Sequence, residues 1–219
     1  MPESDADALL AARRSLLAAG ESALARLEAV NAAREKTLTE TRQLTRLAAN
    51  AIRATHRGEF DEADRLLTLA ETLHAGLHAL RDSFPPIYWA GYVQDAQKEY
   101  TEARLVRALI GVAPLPTADD LAVDAPVYLN GLGEAAGELR RHLLDVLRAG
   151  DLPAAEATLA LMDEIFGLLV AVDYPDAVTN GLRRTTDLVR GVLERSRGDL
   201  TLTAQQMRLE AALRRHVGE

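Results

Sequence analysis

Apolar residues recur at helical spacing along nearly the whole chain, and no stretch alternates apolar and polar between turn residues. Alanine and leucine dominate, and β-branched residues are sparse. The chain therefore reads as all α. The pattern predicts a helix from about Asp5 to Ala19, open to continuing through Gly20 into a long helix that reaches His56. Further helices are expected over about Asp61 to Arg81, Pro86 to Ile110, Ala125 to Ala149, Pro153 to Val172, Pro175 to Arg197 and Ala204 to His216. Their limits are marked by Arg57-Gly58, Phe84-Pro85-Pro86, Gly111 to Pro116, Gly150-Asp151, Asp173-Tyr174-Pro175 and Gly198-Asp199. Gly58-Glu59-Phe60, Gly150-Asp151-Leu152 and Gly198-Asp199-Leu200 look alike but are unequally spaced, so they read as one stop-and-start signal used at three junctions rather than as a repeat. No low-complexity linker divides the chain, and a single elongated domain over residues 1–219 is the simplest organisation.

One segment carries polar residues that a plain structural helix would avoid. In Tyr128 to Arg141, Leu129, Leu132, Ala136 and Leu139 form an apolar stripe that Leu143 and Leu147 continue, while Glu134, Glu138 and Arg141 fall on the opposite face. Carboxylates at i and i+4 repel, and Gly131, Gly133 and Gly137 each cost roughly 1 kcal/mol of helix propensity. Such glycines let a helix or ligand approach the backbone, and paired carboxylates attract a metal ion or a basic partner.

A second segment, Trp89 to Ala103, complements the first. Trp89, Tyr92, Ala96, Tyr100 and Ala103 are expected on its buried side, with Glu99 inside that stripe and Asp95 and Glu102 at its edge. Neither Glu99 nor Glu102 has a basic residue three or four positions later, so the partner must come from another helix or be a cation. If this ridge meets Glu134 and Glu138, four carboxylates converge. Pairs about 6 Å apart would repel by roughly 3 kcal/mol each at an effective dielectric near 20. Mg²⁺ or Mn²⁺, hard cations with oxygen ligands, are the natural compensation; solvated surface glutamates are the plain alternative.

Composition narrows the chemistry. With no cysteine there is no disulfide framework, thiol nucleophile or Cys-based zinc site. The first residues are acidic and no apolar run is long enough to span a bilayer, which leads to the expectation of a cytoplasmic protein with no membrane partner. A net charge of −8 opposes non-specific nucleic-acid binding by the molecule as a whole, but not by a segregated basic patch. Arg42, Arg46, Arg53 and Arg57 share one face of the long first helix, His56 lies beside them, and Arg140 and Arg141 follow. These seven form the candidate nucleic-acid surface, against the plainer reading of a salt-bridged helix exterior. Glu71-Thr-Leu-His74 has the spacing of a di-iron bundle motif, but its nearest second copy, Glu138 to His142, is one residue too long.

With both acidic helices in view, the chain resembles the translin and translin-associated factor X family. The resemblance lies in His56-Arg57, Phe84-Pro85, Glu99-Tyr-Thr-Glu-Ala103, Tyr128-Leu-Asn-Gly131 with Gly137-Glu-Leu-Arg140, and Asp173-Tyr-Pro175 with Leu182-Arg-Arg184. It implies an all-α fold of about seven helices, assembled into a hollow homo-oligomer, commonly an octamer, around RNA or single-stranded DNA. It also implies that Glu99, Glu102, Glu134 and Glu138 are catalytic, metal-binding carboxylates. Glu134 stands where the catalytic branch usually carries aspartate, and the basic stretch that translin carries after its Phe-Pro is missing. The expectation is a Mg²⁺-dependent endoribonuclease acting on single-stranded or unpaired RNA inside a closed shell of at least six subunits whose lumen those residues line. The alternatives are a non-catalytic oligomer that binds RNA or single-stranded DNA, and a scaffold whose acidic face docks a basic protein.

Overall fold

A computed structural model describes residues 3–217. Its described residues form α1 (Glu3–His56), α2 (Phe60–His78), α3 (Leu80–Ser83), α4 (Pro85–Tyr88), α5 (Gly91–Ile110), α6 (Ala125–Arg148), α7 (Leu152–Val170), α8 (Asp176–Thr179) and α9 (Leu182–Val217). There is no strand among them. The all-α expectation holds.

The central helix is α6, which packs on α5, α7 and α9, while α1 packs on α2 and α5. The predicted stripe of α6 supplies this packing. Leu132, Ala136, Leu139, Leu143 and Leu147 are all buried, alongside Ala48 and Ala51 of α1, Leu105 of α5, Met162 and Leu169 of α7 and Leu193 of α9. A smaller cluster gathers Leu44, Leu77, Tyr100 and Leu121 at the other side of α5.

Two of the three similar junctions work as the pattern predicts. Gly58 and Gly150 take φ of +73° and +83°. At each, the following amide reaches back to the last turn: Glu59 N to Ala54 O at 3.0 Å and Asp151 N to Val146 O at 3.0 Å. Asp151 then caps α7 by accepting from Ala154 N at 3.0 Å, with Pro153 in the first turn.

The third junction departs from expectation. α9 runs straight through Gly198, merging the two helices predicted over Pro175 to Arg197 and Ala204 to His216. Leu193, Ser196 and Leu200 keep one buried register across the glycine, and Asp199 is paired with Arg140. Together these outweigh a glycine penalty of about 1 kcal/mol. Pro175 instead opens the single turn α8, which ends in left-handed Asn180 and Gly181.

The helix predicted from Pro86 to Ile110 is likewise divided. Ala90 is extended at ψ 140°, separating α4 from α5. Trp89 in this break is exposed, not buried, and Tyr88 takes the interior position with its hydroxyl donating to Asp124 at 3.1 Å. Tyr92 is half-buried, while Ala96, Tyr100 and Ala103 are buried as predicted.

Residues 7–32 of α1 are exposed on every side; burial begins near Thr37. At 1.5 Å per residue α1 is about 80 Å long, so its first half extends well beyond the helices that cover its second half. Among the described residues, no helix is long and apolar enough to cross a membrane.

Candidate metal centre

The glycines of α6 bring the acidic helices together. A Cβ on Gly131 would lie 3.0 Å from Thr101 Cβ and 3.2 Å from the Lys98 carbonyl, so α5 and α6 approach backbone to side chain at this point. A Cβ on Gly133 would lie 2.3 Å from Thr185 Cγ2, which lets α9 close on the other flank. Gly137 has nothing within 4 Å of a built Cβ, so the close approach predicted for all three is used at only two.

One turn beyond Gly131, a carboxylate oxygen from each of Glu99, Glu102 and Glu134 lies within 4.8 Å of the other two. The sequence pattern put Glu99 in the buried stripe and Glu102 at its edge; the order is the reverse. Glu102 is 9% exposed, Glu99 is half-buried, and Asp95 faces solvent outside the cluster. The reason is the offset of the crossing: Thr101 and Glu102 point at α6, and Glu99 lies on the flank.

Burial, followed by the charges of Glu134, Glu99 and Glu138, pushes the Glu102 carboxyl up to about 8. Glu99 is raised too, by burial first and then by Glu134. Three of the four carboxylates expected to converge do so, and Glu102 responds by retaining its proton at neutral pH.

Lys98 was missed at the sequence level. Its Nζ lies 2.7 Å from Glu134 Oε1, and both side chains are half-buried. A cation on the same helix need not follow the glutamates: Lys98 precedes Glu102 by one helical turn. As one of two lysines in the chain, within the acidic helix, it was legible.

Glu138 stands next to the cluster but has its own partner. His56 Nε2 lies 2.5 Å from Glu138 Oε2, and Arg141 is 3.8 Å from the same oxygen. The bond with His56 holds Glu138 below the usual carboxylate range. Glu134 and Glu138 therefore turn toward α5 and α1, and only Arg141 of that face is fully outward, at 54% exposure.

Apart from the outward Arg141, the basic set separates into three groups. Arg42, Arg46 and Arg53 are exposed along α1 as predicted, with Arg53 donating to Asn50 Oδ1. Arg57 is also exposed but is held in a bidentate pair by Glu59 at 2.9 and 2.5 Å. His56 and Arg140 are instead turned inward and engaged by other side chains. The His56 side chain is 3% exposed and bound to Glu138, while Arg140 donates to Ser196 at 3.0 Å and Asp199 at 2.7 Å, fastening α6 to α9.

The di-iron alternative has no geometric support. His74 is buried, donates from Nε2 to the Leu121 carbonyl at 2.9 Å and stacks on Tyr100, while Glu71 pairs with Arg104.

Fold and site together define an all-α protein whose central helix crossing carries a carboxylate-only candidate metal centre, flanked by an arginine-lined helix. No family model matches the chain. An uncharacterized protein of Methanocaldococcus jannaschii is 30% identical over 185 residues, covering 83% of this chain and 81% of that protein. Among solved structures, AfC3PO in complex with duplex RNA and AfC3PO alone each superimpose with a TM-score of 0.78 at 33% identity, covering 85% of this chain and 96% and 97% of theirs. Apo-NeC3PO has the same fold, with a TM-score of 0.77 at 19% identity over 84% of this chain and 96% of its own. The chain belongs to the translin and translin-associated factor X family.

Proposed function

We propose that the protein is a Mg²⁺- or Mn²⁺-dependent endoribonuclease that cuts single-stranded or unpaired RNA within a homo-oligomeric shell. The observation that carries this reading is the convergence of Glu99, Glu102 and Glu134 within 4.8 Å, with Glu102 buried and pushed up to about 8. An all-oxygen, carboxylate donor set fits a hard divalent cation, and the pile-up on Glu102 is the strain that such a cation would relieve. Glu99, Glu102 and Glu134 would hold it, with Glu138 beside them. When bound, the cation supplies Lewis-acid activation of water and of the phosphodiester. His56 fixes Glu138 through one oxygen, leaving the other to orient a water or accept its proton. Arg42, Arg46 and Arg53 offer guanidinium groups to successive phosphates along α1.

RNA as the partner is supported by AfC3PO, whose structure was solved with duplex RNA. Self-association is supported by the exposed first half of α1, where Leu9, Leu16, Leu17, Leu24 and Leu27 are each more than half exposed and await a covering surface. A shell with its arginines inward also reconciles RNA binding with a net charge of −8.

The test is incubation of purified protein with labelled single-stranded, bulged and fully duplex RNA, in Mg²⁺ and in EDTA. Internal cleavage of unpaired RNA in Mg²⁺ alone is expected. A second reading, an oligomer that binds RNA or single-stranded DNA without cutting it, is favoured by the Lys98–Glu134 pair, which gives the acidic site an internal counter-charge. Binding of RNA or single-stranded DNA with no metal-dependent cleavage would establish it.

A further inference from the structure

Lys98 faces two ways. Its ammonium is on Glu134 at 2.7 Å, yet the residue also lines a cavity of about 390 Å³ between α5, α6 and the start of α9. Gln94, Asp95, Asn130, Asp176 and Arg184 share that cavity. Its far wall is built to stay in place. Asn130, 6% exposed, donates to the Thr179 carbonyl at 3.1 Å and accepts from the Thr185 hydroxyl at 2.6 Å. The contact at Gly133 seats Thr185 against α6. This clamp fixes the first turn of α9 and holds Arg184 at the cavity rim, where it is exposed and unpaired among the described residues.

We propose that Lys98 is a phosphate-binding residue for the RNA substrate, masked by Glu134 in the metal-free protein and released into this cavity, beside Arg184, when Glu134 takes up a divalent cation. The inference rests on the metal-dependent reading above. One carboxylate cannot hold an ammonium and a divalent cation at full strength, so the two compete for Glu134. A displaced lysine with four rotatable bonds needs only side-chain rotation to reach the cavity. Asp95 and Asp176 keep a cation favourable there until a phosphate arrives, and with Arg184 the released Lys98 then gives two positive groups for one phosphodiester. Metal loading and RNA binding become coupled through one side chain, each strengthening the other by the same factor.

Two titrations test this, neither reading activity. The first follows Mn²⁺ binding by calorimetry or electron paramagnetic resonance. Lys98→Gln removes the competitor and is expected to bind Mn²⁺ roughly threefold to fivefold tighter than wild type, while Lys98→Arg, which keeps the charge, stays near wild type. The second follows binding of a nuclease-resistant phosphorothioate oligoribonucleotide by fluorescence anisotropy. Mn²⁺ should tighten RNA binding in wild type and do so less in Lys98→Gln. Arg184→Ala should weaken RNA binding without altering Mn²⁺ affinity. The proposal is overturned if Lys98→Gln binds Mn²⁺ no more tightly than wild type, or if Mn²⁺ tightens RNA binding equally in both. Failure of wild type to bind Mn²⁺ at all would remove the metal-dependent reading and this proposal with it, so the wild-type titration tells the two failures apart.

Discussion

His56, the last residue of α1, and Glu138, in the middle of α6, are joined by a 2.5 Å bond across 82 residues of sequence, with the histidine side chain only 3% exposed. The pair locks the end of the arginine-bearing helix to the helix that carries half of the acidic site. Replacing His56 by Ala leaves Glu138 half-buried with only the distant Arg141 as partner, an expected cost of about 1–3 kcal/mol. Chemical denaturation would measure it. The same variant should lose activity out of proportion to its stability, because Glu138 is no longer oriented. A Glu138→Gln variant that cuts RNA at the wild-type rate with its fold intact would place the chemistry elsewhere.

The proton on Glu102 gives a pH dependence with a defined sign. Its folded value near 8 lies above the ordinary 4.5, so the folded state binds more protons than the unfolded chain across that window. The contribution to metal-free stability is therefore largest below about 4.5 and falls as pH rises through 8. Glu102→Gln is expected to flatten this slope, which thermal denaturation in EDTA at a series of pH values would show. For the same reason, cation binding should release a proton and strengthen with pH up to about 8, measurable by titration in buffers of different ionisation heat.

Substitution of Glu99, Glu102 or Glu134 by the corresponding amide should reduce metal-dependent cleavage by about a hundredfold; binding of single-stranded RNA in EDTA should change little in the Glu99 and Glu102 variants, and should tighten in Glu134→Gln, which frees Lys98. Glu134→Asp is expected to weaken the pair with Lys98, since the shorter side chain no longer reaches the ammonium at 2.7 Å.

Nucleic-acid affinity should depend on Arg42, Arg46 and Arg53 rather than on the whole basic set. Changing these three to Ala is expected to lower the slope of log affinity against log salt by about 2 for a single strand, at about 0.7 per phosphate contact. Arg140→Ala should instead lower the melting temperature and leave the salt slope unchanged, because its guanidinium fastens α6 to Asp199 and Ser196.

Assembly should fail when the exposed leucines of α1 are made charged. Leu16→Glu with Leu24→Glu is expected to leave the helical content intact and to reduce the particle mass seen by light scattering. An unchanged mass would place the subunit contacts on other surfaces.

The sequence alone determined the all-α class, the buried stripe of α6, the glycine stops at Gly58 and Gly150, and the presence of acidic pairs on α5 and α6. All of these are local: helix periodicity, left-handed caps and repulsion between residues one turn apart act over a few positions and leave their mark in spacing. The tertiary structure alone decided how those pieces meet. It made Glu102 rather than Glu99 the buried acid, because the α5–α6 crossing is set by Gly131 against Thr101. It turned His56 and Arg140 inward, because their partners come from helices distant in sequence. It carried α9 through Gly198, because Leu200 and Asp199 find their contacts only if the helix continues. Burial and long-range pairing depend on which helices cross and at what offset, and that is fixed by packing among all of them at once.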